Sequence, residues 1–246
     1  MGEGTIAGFI AELIIQRVKR LISLLSRWLY LAIVLAGVAY LATTYLHRSD
    51  WYKARLYRQL LAGTAGEQLK AASGLAQLNA QEQLLEALRS DQPSAREMAQ
   101  RALEYVWFNS AGDEAYQLVE QAYKASEKAD FKQALGLLNR VVENYPKFAE
   151  GWNRRASVYW QMGEYGKSIA DSRQTLILNP NHYGAWQGIG ICRLKTGDVA
   201  EACRCLRAAL KIVPYDEATR NSLERCEGLL RRSPQPTGKS QPMDLI

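Results

Sequence analysis

The side chains able to do metal or nucleophilic chemistry are few in this 246-residue chain: His47, His182, Cys192, Cys203, Cys205 and Cys226. A thiolate metal centre needs paired C-x-x-C spacing with imidazoles in reach, and the sequence offers neither. Cys203 and Cys205 stand two apart, which on a helix turns them roughly 200° from one another, so they are not expected to chelate or bridge. All four cysteines read as small buried residues of helix packing. Four thiols without a disulfide framework point to a reducing compartment. The sequence has no G-x-S-x-G elbow, no P-loop and no His-rich helix. No catalytic residue, cofactor or metal is therefore expected, and His182 reads as a capping or packing residue.

Composition narrows the class further. With 48% hydrophobic and 23% charged residues the chain has the balance of a folded protein. The formal charge is +6, but residues 1–62 hold eight Lys/Arg against three acids and residues 63–246 hold twenty-three against twenty-two. A phosphate-binding surface would cluster its basic residues on the globular part. That part is nearly neutral, so nucleic acid is not an expected partner. Thirteen Tyr and six Trp against four Phe favour interfaces and membrane belts.

The basic N-terminal quarter contains the longest apolar run. Residues 28–46, WLYLAIVLAGVAYLATTYL, carry no charge and are long enough to cross a hydrocarbon core of ~30 Å. Trp28 and Tyr30 at one end and Tyr45 and Leu46 at the other mark the anchor, with Arg27 and Arg48 outside it. A charged flank follows instead of an A-x-A-like exit, so the run reads as a spanning helix rather than a cleaved leader. Residues 1–27 read as an amphipathic helix, with Ile10, Leu13, Ile14, Val18, Leu21, Ile22 and Leu25 on one face and Lys19 and Arg20 on the other. It either lies on an anionic membrane surface or extends the spanning helix or packs on a partner. Lys/Arg counts on the two flanks tie, leaving orientation open.

Residues 47–112 read as a helical stalk, interrupted at Gly63, Gly66 and Gly74. The tetrad Ser94-Ala95-Arg96-Glu97 after Pro93 has the form of a capping box and starts a helix to about Phe108. Its apolar residues, Met98, Ala102, Tyr105, Val106 and Trp107, are enough to pack on the region C-terminal to it.

Beyond the stalk the sequence repeats. Pro146, Pro180 and Pro214 are thirty-four apart, and so are Trp152 and Trp186; a fixed period of that size implies a solenoid. It divides the region into three units, 115–148, 149–182 and 183–216, each two helices joined by a short turn. They resemble the tetratricopeptide-repeat (TPR) family. Unit two supplies Trp152, Ala156, Tyr159, Ser168, Thr175 and Pro180 of its motif. Unit three supplies Trp186, Ile189, Gly190, Ala202, Leu206, Ala209 and Pro214. Unit one, with Leu118, Ala122, Ala125, Ala134, Leu138, Val141 and Pro146, departs most. Tyr215 to Arg232 supplies a capping helix, with Leu223, Leu229 and Leu230 inward, and residues 233–246 read as a disordered tail.

The expected fold is thus all-α: one transmembrane helix, a helical stalk, then an α-solenoid of three TPR helix pairs and a C-terminal cap over 113–232. The resemblance implies a concave groove that holds a partner segment, lined here by Tyr116, Val119, Tyr123, Asn153, Arg154, Ser157, Trp160, Gln187, Ile191 and Leu194. Arg154 and Lys195 are the candidate carboxylate clamps. Alternatively the stalk helices fill that groove from within. Co-chaperones that grip acidic heat-shock-chaperone C-termini carry a Lys/Asn/Asn/Lys/Arg clamp. Its positions fall here at Val119, Tyr123, Arg154, Gly184 and Gly188, so such recognition is not expected. The runs 149–156 and 179–185 also resemble membrane-associated or exported repeat proteins of bacteria and organelles. The functional expectation is a membrane-anchored protein-binding module, an assembly factor or accessory subunit of a membrane complex; the alternative is a receptor for targeting peptides or precursor proteins at an organellar or bacterial membrane. The bulk of the chain is expected on a reducing side: cytoplasm, mitochondrial matrix or plastid stroma.

Overall fold

An unbroken apolar stretch without proline favours a helix, and residues Ser23–Leu41 form one, α1, long and apolar enough to cross a membrane. The structure, a computed structural model, describes residues 17, 19, 21, 23–41 and 49–232. Tyr45, Leu46, His47, most of the expected amphipathic helix and the tail 233–246 lie outside the described residues. The chain divides into two compact units, residues 1–54 and 55–246. Within α1, Trp28 and Tyr30 are exposed, and the helix extends N-terminally beyond the expected start at Trp28.

After α1 come α2 (Asp50–Ala62), α3 (Ala65–Gln77), α4 (Gln81–Ala87) and α5 (Pro93–Phe108). Helix α5 starts one residue earlier than the expected box, with Gln92 at the N-cap, Pro93 at the first helical position and no side-chain cap. Pro93 has no N–H to satisfy, and Glu97 is drawn instead to Arg101 at 2.6 Å. One face of α5, Ala95, Ala99, Leu103 and Val106, is buried where it packs on α3 and α4.

The remaining helices come in pairs: α6 (Asp113–Glu127) with α7 (Phe131–Asn144), α8 (Ala149–Gln161) with α9 (Tyr165–Leu178), and α10 (Tyr183–Lys195) with α11 (Val199–Ile212). A last helix, α12 (Glu217–Arg232), packs on α11. Among the described residues there is no strand.

The thirty-four-residue period has a physical content at three places. First, the turn inside each pair needs a left-handed residue, found at Ala129 (φ 57°), Gly163 (φ 76°) and Gly197 (φ 84°). Second, helices within a pair approach closely: a Cβ on Gly190 would meet Leu206 Cγ at 2.8 Å, and Ala134, Ala156 and Ser168 are buried at matching positions. Third, the indole N–H of Trp152 donates to the Pro146 carbonyl and that of Trp186 to the Pro180 carbonyl, both at 3.0 Å. At the end of the third unit, the Pro214 carbonyl receives the guanidinium of Arg220, again six residues on, at 2.8 Å. The proline ends one pair, and the residue six later ties the next element to it.

The cap and the cysteines differ from expectation. Leu223 and Leu230 pack inward, but Leu229 is turned to solvent. Cys203 and Cys226, both fully buried, are disulfide-bonded between α11 and α12 with Cα atoms 5.8 Å apart, while Cys192 and Cys205 are free and buried. The four cysteines are thus not all unpaired, as the sequence suggests, but two free and two joined.

Candidate partner-binding groove

The first helix of each pair, α6, α8 and α10, carries the expected groove residues, and the structure divides them into three groups. Asn153, Ser157, Trp160, Gln187 and Ile191 come together around one open cavity of about 270 Å³. Gly184, Gly188, Ser168 and Ser172 also line it, and their small side chains leave its space open. Trp160 is 42% exposed, so a large amphipathic ring faces solvent beside three amides. Gln187 is held by donation to Asp216 at 2.5 Å and to the Thr219 hydroxyl. Tyr123, about half exposed, stands on α6; its hydroxyl is paired with Glu127, which raises its pKa.

A second group does not line a groove. Val119 is buried in the core between α6 and α7, because its position on α6 points to the helix's own partner. Leu194 packs on the cluster around Cys203 and Cys226. Arg154 is no free clamp: its Nε donates to Glu150 at 2.5 Å and its guanidinium lies 4.5 Å above the Phe108 ring. Lys195 is exposed.

The third group meets the stalk. Helix α5 runs along the edge where α6, α8 and α10 begin. Tyr116 packs edge-on against Phe108 at 6.2 Å. Trp107 stacks on His182 at 4.8 Å and tilts against Tyr183 at 5.6 Å, while its indole N–H donates to Gln81 at 2.9 Å. Tyr183 donates its hydroxyl to Glu104 at 3.1 Å, and burial with that carboxylate beside it pushes the phenol's pKa up. At the far end Tyr215 donates to Asp91 at 2.7 Å and lies under the Arg96 guanidinium at 4.1 Å. Of the expected groove residues, Tyr116 and Arg154 thus meet the stalk helix at Phe108, while five others line the open cavity.

Beneath α5 lies a buried polar knot. Glu150 accepts from His182 Nε2 at 2.8 Å and from Arg154. The other ring nitrogen of His182, Nδ1, accepts the Ala185 N–H at 3.2 Å and caps α10. With Nδ1 accepting, Nε2 is left to donate to Glu150. Burial pushes the Glu150 pKa up, but the His182 hydrogen bond and the Arg154 charge outweigh it and the net direction is down. Among the described residues no group of three His, Cys, Asp or Glu could hold a metal ion.

Sequence reasoning did not single out Glu104, Tyr183 or Phe108. The available signal was a stripe on α5, Arg96, Gln100, Glu104, Trp107 and Phe108, at helical spacing opposite its alanine face.

Comparison with known proteins agrees with this architecture. Residues 119–172 and 154–217 match the family model described as Tetratricopeptide repeat. A TPR repeat-containing protein of Rhizobium etli is 30% identical over 117 residues, 48% of this chain and 57% of its own. Anaphase-promoting complex subunit 3 of Schizosaccharomyces pombe is 30% identical over 105 residues, 43% of this chain and 15% of that protein. The chain thus spans only part of the length of both relatives. Among solved structures, the first TPR of Spaghetti (RPAP3) bound to the HSP90 peptide SRMEEVD has a TM-score of 0.47 at 20% identity, covering 48% of this chain and 93% of its own. Over residues 119–217 the chain is thus similar to tetratricopeptide repeats.

Proposed function

We propose that this chain is a membrane-anchored protein-binding module in which the repeats hold a segment of a partner protein, as an assembly factor or accessory subunit of a membrane complex. The observation that carries the reading is the open cavity beside Trp160. It joins an exposed aromatic ring to amide side chains at Asn153 and Gln161, the mixture that anchors a peptide and satisfies its backbone. Apolar helix α1 supports the anchor by its length and composition. The exposed indole at Trp28 suits a position at the membrane–water boundary. Because Arg154 is already paired, the pocket favours partners recognised by backbone and side-chain shape over a terminal carboxylate.

The test is photocrosslinking in the native membrane from a probe replacing Trp160, with a probe on the outer surface at Arg173 as background. A short, reproducible set of subunits of one membrane complex supports the reading. A broad set of precursors sharing targeting segments overturns it in favour of a receptor for such peptides.

A further inference from the structure

The contacts between α5 and the repeats differ in kind from those inside either. On its other face α5 buries alanine and leucine against α3 and α4, as a core helix does. Toward the repeats it presents polar and aromatic groups at positions 96, 100, 104, 107 and 108, which form one stripe. Water reaches this contact: Tyr116 is 36% and Tyr215 41% exposed, and a cavity of about 290 Å³ remains between Arg96, Gln100, Tyr183 and Gln187. A polar, incompletely filled contact within one chain has the character of a transient interface rather than a core. It is also continuous with the open cavity, since Gln187 lines both.

We infer that the strip from Tyr116 to Tyr215 is a helix-docking site that α5 fills in cis, and that a partner helix with the same stripe competes for it. The chemistry of that partner is set by the groups α5 offers. It is an amphipathic helix with a cation at one end, a carboxylate two turns on to accept the Tyr183 hydroxyl, and an aromatic pair at the other end. One aromatic lies flat on His182 and the other meets Tyr116. The inference deepens the proposed function and rests on it, because α5 would then regulate access to the same face that holds the Trp160 cavity. Release of α5 widens the groove and frees Arg154 from Phe108.

The test uses the full chain in detergent micelles and, as probe, a fluorescently labelled synthetic peptide copying residues 93–108. A latch-weakened chain, Arg96→Ala with Glu104→Ala, leaves the alanine face of α5 untouched. The expected result is that this chain binds the peptide at least tenfold more tightly than the unaltered chain does. A peptide carrying Trp107→Ala and Phe108→Ala should bind it at least tenfold more weakly. Equal binding of both peptides, or none to a chain with unchanged circular dichroism, overturns the inference. Hydrogen exchange on the unaltered chain gives an independent reading that needs no variant. Amides of α5 should exchange well before those of α8 and α10, and exchange as slow as theirs overturns the inference too. Crosslinking from Trp160 reports on the open cavity and not on α5, so capture there with no peptide binding sinks the docking site while leaving the proposed function intact.

Discussion

Glu150 and His182, thirty-two residues apart and both nearly inaccessible to water, meet at 2.8 Å and join the start of α8 to the start of α10. The two residues stand at the two ends of unit two, His182 capping the first helix of the next pair, so the bond spans a whole repeat. It also sets the ring on which Trp107 stacks. One buried pair thus couples repeat stacking to the seat of the stalk helix.

That pairing has a pH signature. Because the folded-state pKa of Glu150 is lowered, its stabilising contribution is present in full above the ordinary carboxylate range and is lost as pH falls through the folded value. Glu150→Gln keeps an acceptor for His182 but drops the charge facing Arg154. It should cost about 2 kcal/mol at neutral pH. Urea unfolding of both chains from pH 7 to pH 3 checks this. The gap should narrow as pH falls below the ordinary carboxylate range, because the unfolded chain then binds a proton that folded Glu150 resists, and a gap that stays constant or widens would remove the charge argument.

A second expectation concerns the turns. Gly163 and Gly197 sit in the left-handed region, while unit one has Ala129 there. An L side chain in that region costs about 1 kcal/mol. Gly163→Ala should lower stability by about 1 kcal/mol, although a Cβ there would touch nothing within 4 Å, so the loss would be conformational alone. Ala129→Gly should gain less than about 1 kcal/mol, since the freer unfolded chain offsets part of the relief. Thermal melts of the two variants should move in opposite directions, and a stabilising Gly163→Ala would contradict the backbone account.

The third expectation tests the tie between repeats. Trp186→Phe keeps most of the ring but loses the donor to the Pro180 carbonyl, a neutral bond that is partly exposed. The loss should be about 1 kcal/mol, measured by urea denaturation. A tryptophan replacement at Arg220, which already reaches Pro214, should leave stability nearly unchanged, because the indole would take over the same acceptor. A large loss there would mean that the carbonyl at the end of the last repeat is not equivalent to the other two.

The repeats were legible in the sequence and the stalk contact was not, for a physical reason. A period of thirty-four fixes Pro, Trp, the turn residue and the small residues together, because each copy solves the same packing problem with the same side chains. Helix α5 has no copy in the chain, so nothing in the pattern says which of its faces meets the repeats. Val119 failed as a groove residue for a related reason. The family pattern gives which helix lines the groove, but one position on a helix surface separates a core valine from the exposed Tyr123 one turn on. His182, read as a cap or packing residue, does both.

The cysteines bear on the compartment. Burial pushes the Cys205 thiol up to about 12, helped by the Glu201 carboxylate that accepts its S–H, and burial raises Cys192 as well. A thiol with so raised a pKa holds almost no thiolate at neutral pH, so neither should react with iodoacetamide in the folded chain. Unfolding in denaturant without reductant should then release two thiols rather than four, because Cys203 and Cys226 are joined. Reducing that bond should cost about 3 kcal/mol for a loop of this size, seen as a lower unfolding midpoint and as earlier fraying of α12, the helix it fastens to α11. A pair that persists in the chain as purified from its own membrane, under conditions that block thiol exchange, would put the repeats on the oxidising side. A count of four thiols would leave the two sulfurs in contact without a bond and return the domain to the reducing side that the sequence alone suggests.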